Sequence, residues 1–213
     1  SLFKPFQFRP LVKFQGEAGR RLLIADETGL GKTIETGYIL VEEFAAGRAN
    51  RVLIMVPARS IGKWRREMRS RFGIILEKAG SKRITECINS PDSNFHLICS
   101  HDVGKSGWWN DLTGALDIMV IDEIHNHIGQ SQRFRRPMAE ALSDCADSMI
   151  GLSATPVRKG PGDLFRILEL IVPGISYQLD QTRELEILAL TNTLARALEE
   201  EDHNECLAAY NKM

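Results

Sequence analysis

Five short apolar runs limit what this chain can fold into: 21–25 (RLLIA), 51–56 (RVLIMV), 95–99 (FHLIC), 117–121 (DIMVI) and 148–152 (SMIGL). They are continuously apolar rather than alternating, the pattern of strands covered on both faces. Between them, segments 32–46, 61–71 and 138–146 carry apolar residues at helical spacing. In the first, Ile34, Tyr38, Val41 and Ala45 make one stripe. Alternation of this kind predicts an α/β fold: a mostly parallel sheet with helices on both faces and right-handed crossovers. Ligand sites are then expected where the strands end, at their carboxyl edge.

With 213 residues the chain has room for one ordinary domain, or at most two small ones. Hydrophobic residues at 43% and charged residues at 26% give a globular balance and argue against disorder. Lys plus Arg (27) nearly cancel Asp plus Glu (28), which excludes a uniformly basic nucleic-acid coat but not a local basic patch. No run of 18 apolar residues appears, so no membrane partner is expected. SLFKPFQFRP at the start lacks an apolar signal core, which argues against secretion. Cys87, Cys99, Cys145 and Cys206 fit no CxxC pair or zinc framework and predict reduced, mostly buried thiols of a cytosolic-type compartment.

From residue 176 onward the composition shifts to eight acidic side chains against three basic ones. Ile187, Leu190, Leu194 and Leu198 share one helical face there. The expected organisation is a domain over 1–175 followed by an acidic helical extension, or the start of a linker, over 176–213, with a protein partner possible for it. The closing CLAAYNKM reads as interrupted helix, the expectation for a fragment.

Run 21–25 leads straight into Asp26-Glu27-Thr28-Gly29-Leu30-Gly31-Lys32-Thr33, and a helix follows. Strand, glycine-bearing turn and helix is the context of a phosphate cradle. Gly29 and Gly31 let backbone N–H groups approach an anion, and the helix start adds its positive dipole end. Lys32 is expected on the β- and γ-phosphates of ATP and Thr33 on Mg²⁺. Asp26 stands where the common GxxxxGK[ST] pattern has its first glycine.

Run 117–121 ends in Asp122-Glu123-Ile124-His125, 90 residues after Lys32. Adjacent acids at a strand terminus can divide the labour. Asp122 is expected to hold Mg²⁺, and Glu123 to orient and deprotonate the attacking water. His125 is placed to couple the nucleotide site to other elements, whereas His127 is read as a solvated or capping histidine. Ser153 and Thr155, in Ser153-Ala154-Thr155-Pro156 after the last run, could hydrogen-bond the Glu123 side and report the γ-phosphate.

DETGLGKT, DEIH and SATP, in this order and spacing, resemble the first motor lobe of superfamily 2 helicases. The spelling ADETGLGKTIETG is similar to the Snf2 (SWI2/SNF2) branch, particularly its bacterial RapA/HepA-like group. Three further stretches agree. Gln7, in Pro5-Phe6-Gln7 and 19 residues before Asp26, stands at the family's adenine-reading glutamine. VLIMVPARSIGKWRREMRSRF resembles motif Ia, and Cys99-Ser100-His101-Asp102 stands where motif Ib falls. The resemblance covers about residues 5–170; SATP and DEIH depart mildly from the family's spelling, and nothing matches motifs IV to VI of the second lobe.

This resemblance implies a RecA-like fold of the P-loop NTPase class and an ATPase stimulated by double-stranded DNA. It implies that ATP is bound through Gln7, Thr28, Gly29, Leu30, Gly31, Lys32 and Thr33. A second RecA-like lobe, which contributes arginine fingers, lies elsewhere in such a motor. It also implies a cytoplasmic, nucleoid-associated protein in a bacterium, or a nuclear one in a eukaryote. For the DNA, the expected contacts are Pro57, Ala58, Arg59 and Ser60 after one strand and Ser100 and His101 after another. Residues 59–71 add six basic side chains against one acid, a stripe that reads either as a phosphate-pairing surface or as a solvated helix face. Trp64 reads as a packing residue; Trp108 and Trp109 as buried beneath their loop or as an exposed pair; Arg133, Arg135 and Arg136 as a second basic knot. Two alternatives stay open: a superfamily 2 ATPase serving restriction or phage defence, and an ATP-binding module without turnover.

Overall fold

The computed structural model describes residues 5–16, 20–128, 134–158 and 162–175, and in it all five apolar runs are strands of one sheet. After a 3₁₀ turn at Pro5–Phe8, the order is α1 (Arg9–Gly16), β1 (Arg21–Ile24), α2 (Lys32–Ala45), β2 (Arg51–Val56) and α3 (Ile61–Phe72). Then come β3 (Glu77–Lys78), α4 (Ser81–Asn89), β4 (Phe95–Ser100), β5 (Leu116–Asp122), α5 (Arg135–Asp144), β6 (Ala146–Leu152) and α6 (Gly162–Ile171). The six strands lie in the order β1-β6-β5-β2-β4-β3, and every pair is parallel.

Alternate residues of each strand feed two separate cores. Val52, Ile54, Val56, Ile118, Val120 and Ile150 pack against Phe14 of α1, Ile39 and Leu40 of α2 and Trp64 and Met68 of α3. Leu53, Met55, Leu97, Cys99, Met119 and Ile121 face Ile84 and Ile88 of α4, Met138 and Leu142 of α5 and Ile167 and Leu170 of α6. Both faces being covered, the strands need no polar side, which is why their sequences run apolar without alternation.

The amino edge of the sheet is closed by arginines. Arg51 donates to the carbonyls of Ile88, Ser90, Pro91, Ser93 and Ala115, and Arg21 to those of Ser143, Ala146 and Ile171. Among the described residues the carboxyl edge carries no such clamp, and there the register decides what meets. Leu152 of β6 pairs Ile24 of β1 on one side and Asp122 of β5 on the other, while Val56 of β2 pairs Ser100 of β4. The loops after β1, β6 and β5 therefore leave the sheet side by side, and those after β2 and β4 do the same.

Several elements differ from the sequence reading. The predicted helix 138–146 is Arg135–Asp144, because Ala146 already pairs with Leu116 as the first residue of β6. α1, α4, α6 and the two-residue β3 were not read from the sequence. Cys87 and Cys99 are buried and Cys145 is partly so, all three as free thiols. Among the described residues no helix is long and apolar enough to cross a membrane. The expected helix over 183–198, the acidic extension, Cys206 and Arg133 lie outside the described residues.

Candidate functional site

The loop between β1 and α2 is built around two glycines in left-handed backbone, Gly29 at φ 91° and Gly31 at φ 113°. Gly31 has a second reason to lack a side chain: a Cβ there would lie 2.2 Å from Nε2 of Gln7. Gln7 is buried against the loop and its amide donates to Leu30 O at 2.8 Å. Gly31 O then accepts the N–H groups of Ile34 and Glu35 at 2.7 and 3.0 Å, starting α2. Lys32, its first residue, turns its ammonium back over the loop and donates to Asp26 O at 2.6 Å and Glu27 O at 3.1 Å. Thr28, Gly29 and Leu30 are exposed at the loop's crest, and Lys32 and Thr33 are half-buried at its base.

Across the Leu152 register, Asp122 ends β5 with both carboxylate oxygens engaged. Oδ1 accepts the N–H of Glu123 and Oδ2 the indole N–H of Trp64, each at 3.0 Å. Burial raises the Asp122 carboxyl above its ordinary range, a push opposed by these two N–H groups and the charge of Lys32 and reinforced by Glu123. The influence of Lys32 on Asp122 places phosphate loop and carboxylate in one electrostatic field. Glu123 itself sits at φ 52°, a strained conformation for a residue with a side chain, and opens the 3₁₀ turn Ile124–His127.

The third strand end closes the group. His125 Nδ1 lies 2.8 Å from Ser153 Oγ and 3.4 Å from Glu123 Oε2, and Ser153 Oγ accepts the Thr155 N–H at 3.2 Å. Burial, with the charge of Arg158 second, pushes His125 down to about 4, so the ring is neutral near pH 7. Lys32 at the end of the loop after β1, Asp122, Glu123 and His125 at and after the end of β5, and Ser153 and Thr155 after β6 thus follow three adjacent strands.

The DNA-side residues fall at the next strand ends. Ala58 and Arg59 are exposed in the 3₁₀ turn Ala58–Ser60, Pro57 and Ser60 are half-buried, and Ser100 stands beside them at the end of β4. His101 does not present its side chain there. Its ring is 4% exposed and packs edge-on against His127 with centroids 4.6 Å apart, because the 3₁₀ turn after β4 folds inward. His127, expected as a solvated or capping histidine, is not solvated but fully buried: the turn after Glu123 tucks it under the sheet edge, and its Nδ1–H donates to Arg135 O at 3.1 Å. Burial lowers both rings, His101 to about 4 and His127 to about 3.

The second basic knot is partly neutralised. Arg135 pairs with Asp102 at 3.1 Å, and Arg136 with Glu140 at 2.7 Å and Glu169 at 3.7 Å. Trp108 is buried and Trp109 half-buried, their indoles donating to Val103 O and Gly104 O.

Two participants escaped the sequence reading. Trp64 packs as expected, but its contact with Asp122 joins residues 58 positions apart and leaves no local trace. Glu35, in the first turn of α2, is fully buried. Its carboxyl is raised well above the usual carboxylate range, by burial first and then by the nearby carboxyl of Asp26. The spelling held a signal for this pair: an acid where the phosphate-loop pattern has glycine, and a second acid three residues after Lys32.

Comparison with known proteins follows the same lines. A family profile described as SNF2-related domain matches residues 11–203. RNA polymerase-associated protein RapA of Vibrio atlanticus is 33% identical over 184 residues, 80% of this chain and 19% of that protein. RapA of Proteus mirabilis is 34% identical over 163 residues, 72% of this chain and 17% of that protein. Among solved structures, the Sulfolobus solfataricus SWI2/SNF2 ATPase core in complex with dsDNA superposes with a TM-score of 0.64. At 19% identity that match, spanning 89% of this chain and 42% of the neighbour, shows the fold. The chain thus spans about a fifth of the length of the curated relatives it matches.

Proposed function

The chain belongs to the SNF2-related domain family, and on that premise we propose that it is the first motor lobe of a DNA-stimulated ATPase. In this reading the whole protein hydrolyses ATP to move along duplex DNA or to remodel protein–DNA complexes. The observation that carries it is the register: Ile24, Leu152 and Asp122 lie in one row across β1, β6 and β5, so the phosphate loop, SATP and DEIH share one edge.

The donors there suit magnesium and a nucleotide triphosphate. Asp122 and Thr33 supply hard oxygen ligands, and each carboxylate oxygen of Asp122, holding one N–H, retains a lone pair. Asp122 and Thr33 would hold Mg²⁺, which would supply positive charge against the triphosphate. Lys32 balances the phosphate charge from the other side, and the glycine-bearing loop 28–31 offers backbone N–H groups to the phosphates. Gln7, seated on Leu30 O, ties adenine reading to the loop's shape. Glu123 orients and deprotonates the attacking water, and His125, Ser153 and Thr155 pass the state of that site to β6.

Duplex contacts fall to Pro57, Ala58, Arg59, Ser60 and Ser100, with His101 limited to its backbone. That the Sulfolobus neighbour is in complex with dsDNA supports duplex DNA as the partner. A second lobe supplies the arginine fingers, worth ~10³–10⁵ in rate. The RapA relatives' name favours a role beside RNA polymerase. A titration of the 213-residue chain with ATP, with and without Mg²⁺, is the first test: Mg²⁺-dependent binding with almost no turnover is expected. Duplex DNA should then stimulate the full-length ATPase more than single strands or RNA. Robust turnover by the chain alone, abolished by Lys32→Ala, would overturn the two-lobe mechanism.

A further inference from the structure

α3 has two unlike sides. Its inner side places Ile61, Trp64 and Met68 in the core, with Trp64 only 1% exposed. Its outer side carries Lys63, Arg66 and Arg69 in solvent, continuing from Arg59 in the turn before it. The link between the sides is the Trp64 indole, whose N–H donates to Asp122 Oδ2 at 3.0 Å.

That bond is more than the satisfaction of a buried donor. A buried indole needs an acceptor, and a backbone carbonyl serves for Trp108 and Trp109. Trp64 instead meets the carboxylate at the end of β5. With the Glu123 N–H on Oδ1, it holds the carboxylate from both sides and fixes the directions of the two remaining lone pairs. Phenylalanine would fill nearly the same space and do neither.

We infer that Trp64 is a positioning residue that aims the Asp122 carboxylate at a divalent cation and ties that aim to the basic face of α3. Phosphates held by Arg59, Lys63 and Arg66 and a cation held by Asp122 then act on one rigid element, and each strengthens the binding of the other. This rests on the reading of Asp122 as a magnesium carboxylate.

The test is a Mg²⁺ titration of fluorescent ATP-analogue binding to the 213-residue chain, to Trp64→Phe and to Asp122→Ala. A melting curve establishes that each variant folds. Asp122→Ala should abolish the Mg²⁺-dependent gain in affinity. Trp64→Phe should keep metal-free binding and raise the Mg²⁺ half-saturation ~10-fold or more, as loss of a ligand's hydrogen-bond partner does elsewhere. A short DNA duplex should lower the half-saturation for the unaltered chain and not for Trp64→Phe. If Asp122→Ala leaves the Mg²⁺ dependence unchanged, the metal reading itself fails. If Asp122→Ala removes it while Trp64→Phe titrates like the parent, or responds equally to duplex, the role of Trp64 is overturned. A second measurement needs no core substitution. Of the three indole N–H resonances in the unaltered chain, that of Trp64 should move on adding Mg²⁺ with ATP and on adding duplex, while those of Trp108 and Trp109 stay. A Trp64 signal unmoved by both overturns the inference.

Discussion

Ser153 Oγ and His125 Nδ1 are hydrogen-bonded at 2.8 Å, joining the end of β6 to the turn after β5 in a spot closed to solvent. Ser153 also takes the Thr155 N–H, so one hydroxyl fixes both the imidazole and the first residues of the following loop. Ser153→Ala removes a buried hydroxyl while leaving the phosphate loop untouched. In the full-length protein, duplex-stimulated kcat is expected to fall about 10-fold, the cost of a hydrogen bond worth ~1 kcal/mol or slightly more, with KM for ATP little changed. Steady-state kinetics with and without duplex check this.

Lys32 and Glu123 should separate cleanly. Lys32→Ala takes the ammonium from the loop and is expected to weaken ATP binding to the 213-residue chain, read by calorimetry. Glu123→Gln keeps size and polarity but cannot accept a proton. Binding should persist, while turnover of the full-length protein drops ~10²–10⁴-fold, the range for a lost general base.

Gly31→Ala meets two obstacles, the φ of 113° and the Gln7 amide 2.2 Å from the new methyl group. The backbone strain alone costs ~1–3 kcal/mol. A lowered melting temperature and weakened ATP binding are expected. Adding Gln7→Ala removes the clash but not the strain, so the double variant should recover part of the stability and little of the nucleotide affinity.

Four lowered histidines (His96, His101, His125 and His127) and two raised carboxyls (Glu35 and Asp122) shape the pH profile. His101, His125 and His127 are lowered from 6.5 to about 4, 4 and 3, so each is neutral in the folded chain and charged in the unfolded chain over much of the range below 6.5. Their contribution to stability is therefore lost as pH falls from 6.5 towards 4, at ~1.4 kcal/mol per pH unit for each proton involved. Glu35 acts in the opposite sense. Its raised carboxyl stays protonated in the folded chain above pH 4.5, where the unfolded carboxyl has ionised, and so opposes the histidines between 4.5 and 6.5. Melting temperature should fall on acidification through this window, and Glu35→Gln should steepen the fall. A shallower profile in that variant would contradict the buried neutral acid.

The strands were legible because a buried parallel strand writes itself as consecutive branched and apolar residues; 51–56 coincides with β2 to the residue. The helices between them were legible where the stripe was long, as in α2, and missed where it was short: α4 has only Ile84, Cys87 and Ile88 to show. The strand-end residues were found because phosphate chemistry demands a specific local spelling. Contacts made across the sheet have no spelling. Nothing near Trp64 announces Asp122, and nothing in the string HNH distinguishes a surface histidine from His127, whose burial depends on a tight turn closing over it.

β3 is only Glu77 and Lys78, both exposed, and Arg83 pairs with Glu77 beside it. The sheet therefore ends on a charged stub that offers a neighbouring molecule almost no free backbone to zip onto. Stacking of copies along that flank is thereby discouraged, while the deeper strands stay hydrophobic on both sides.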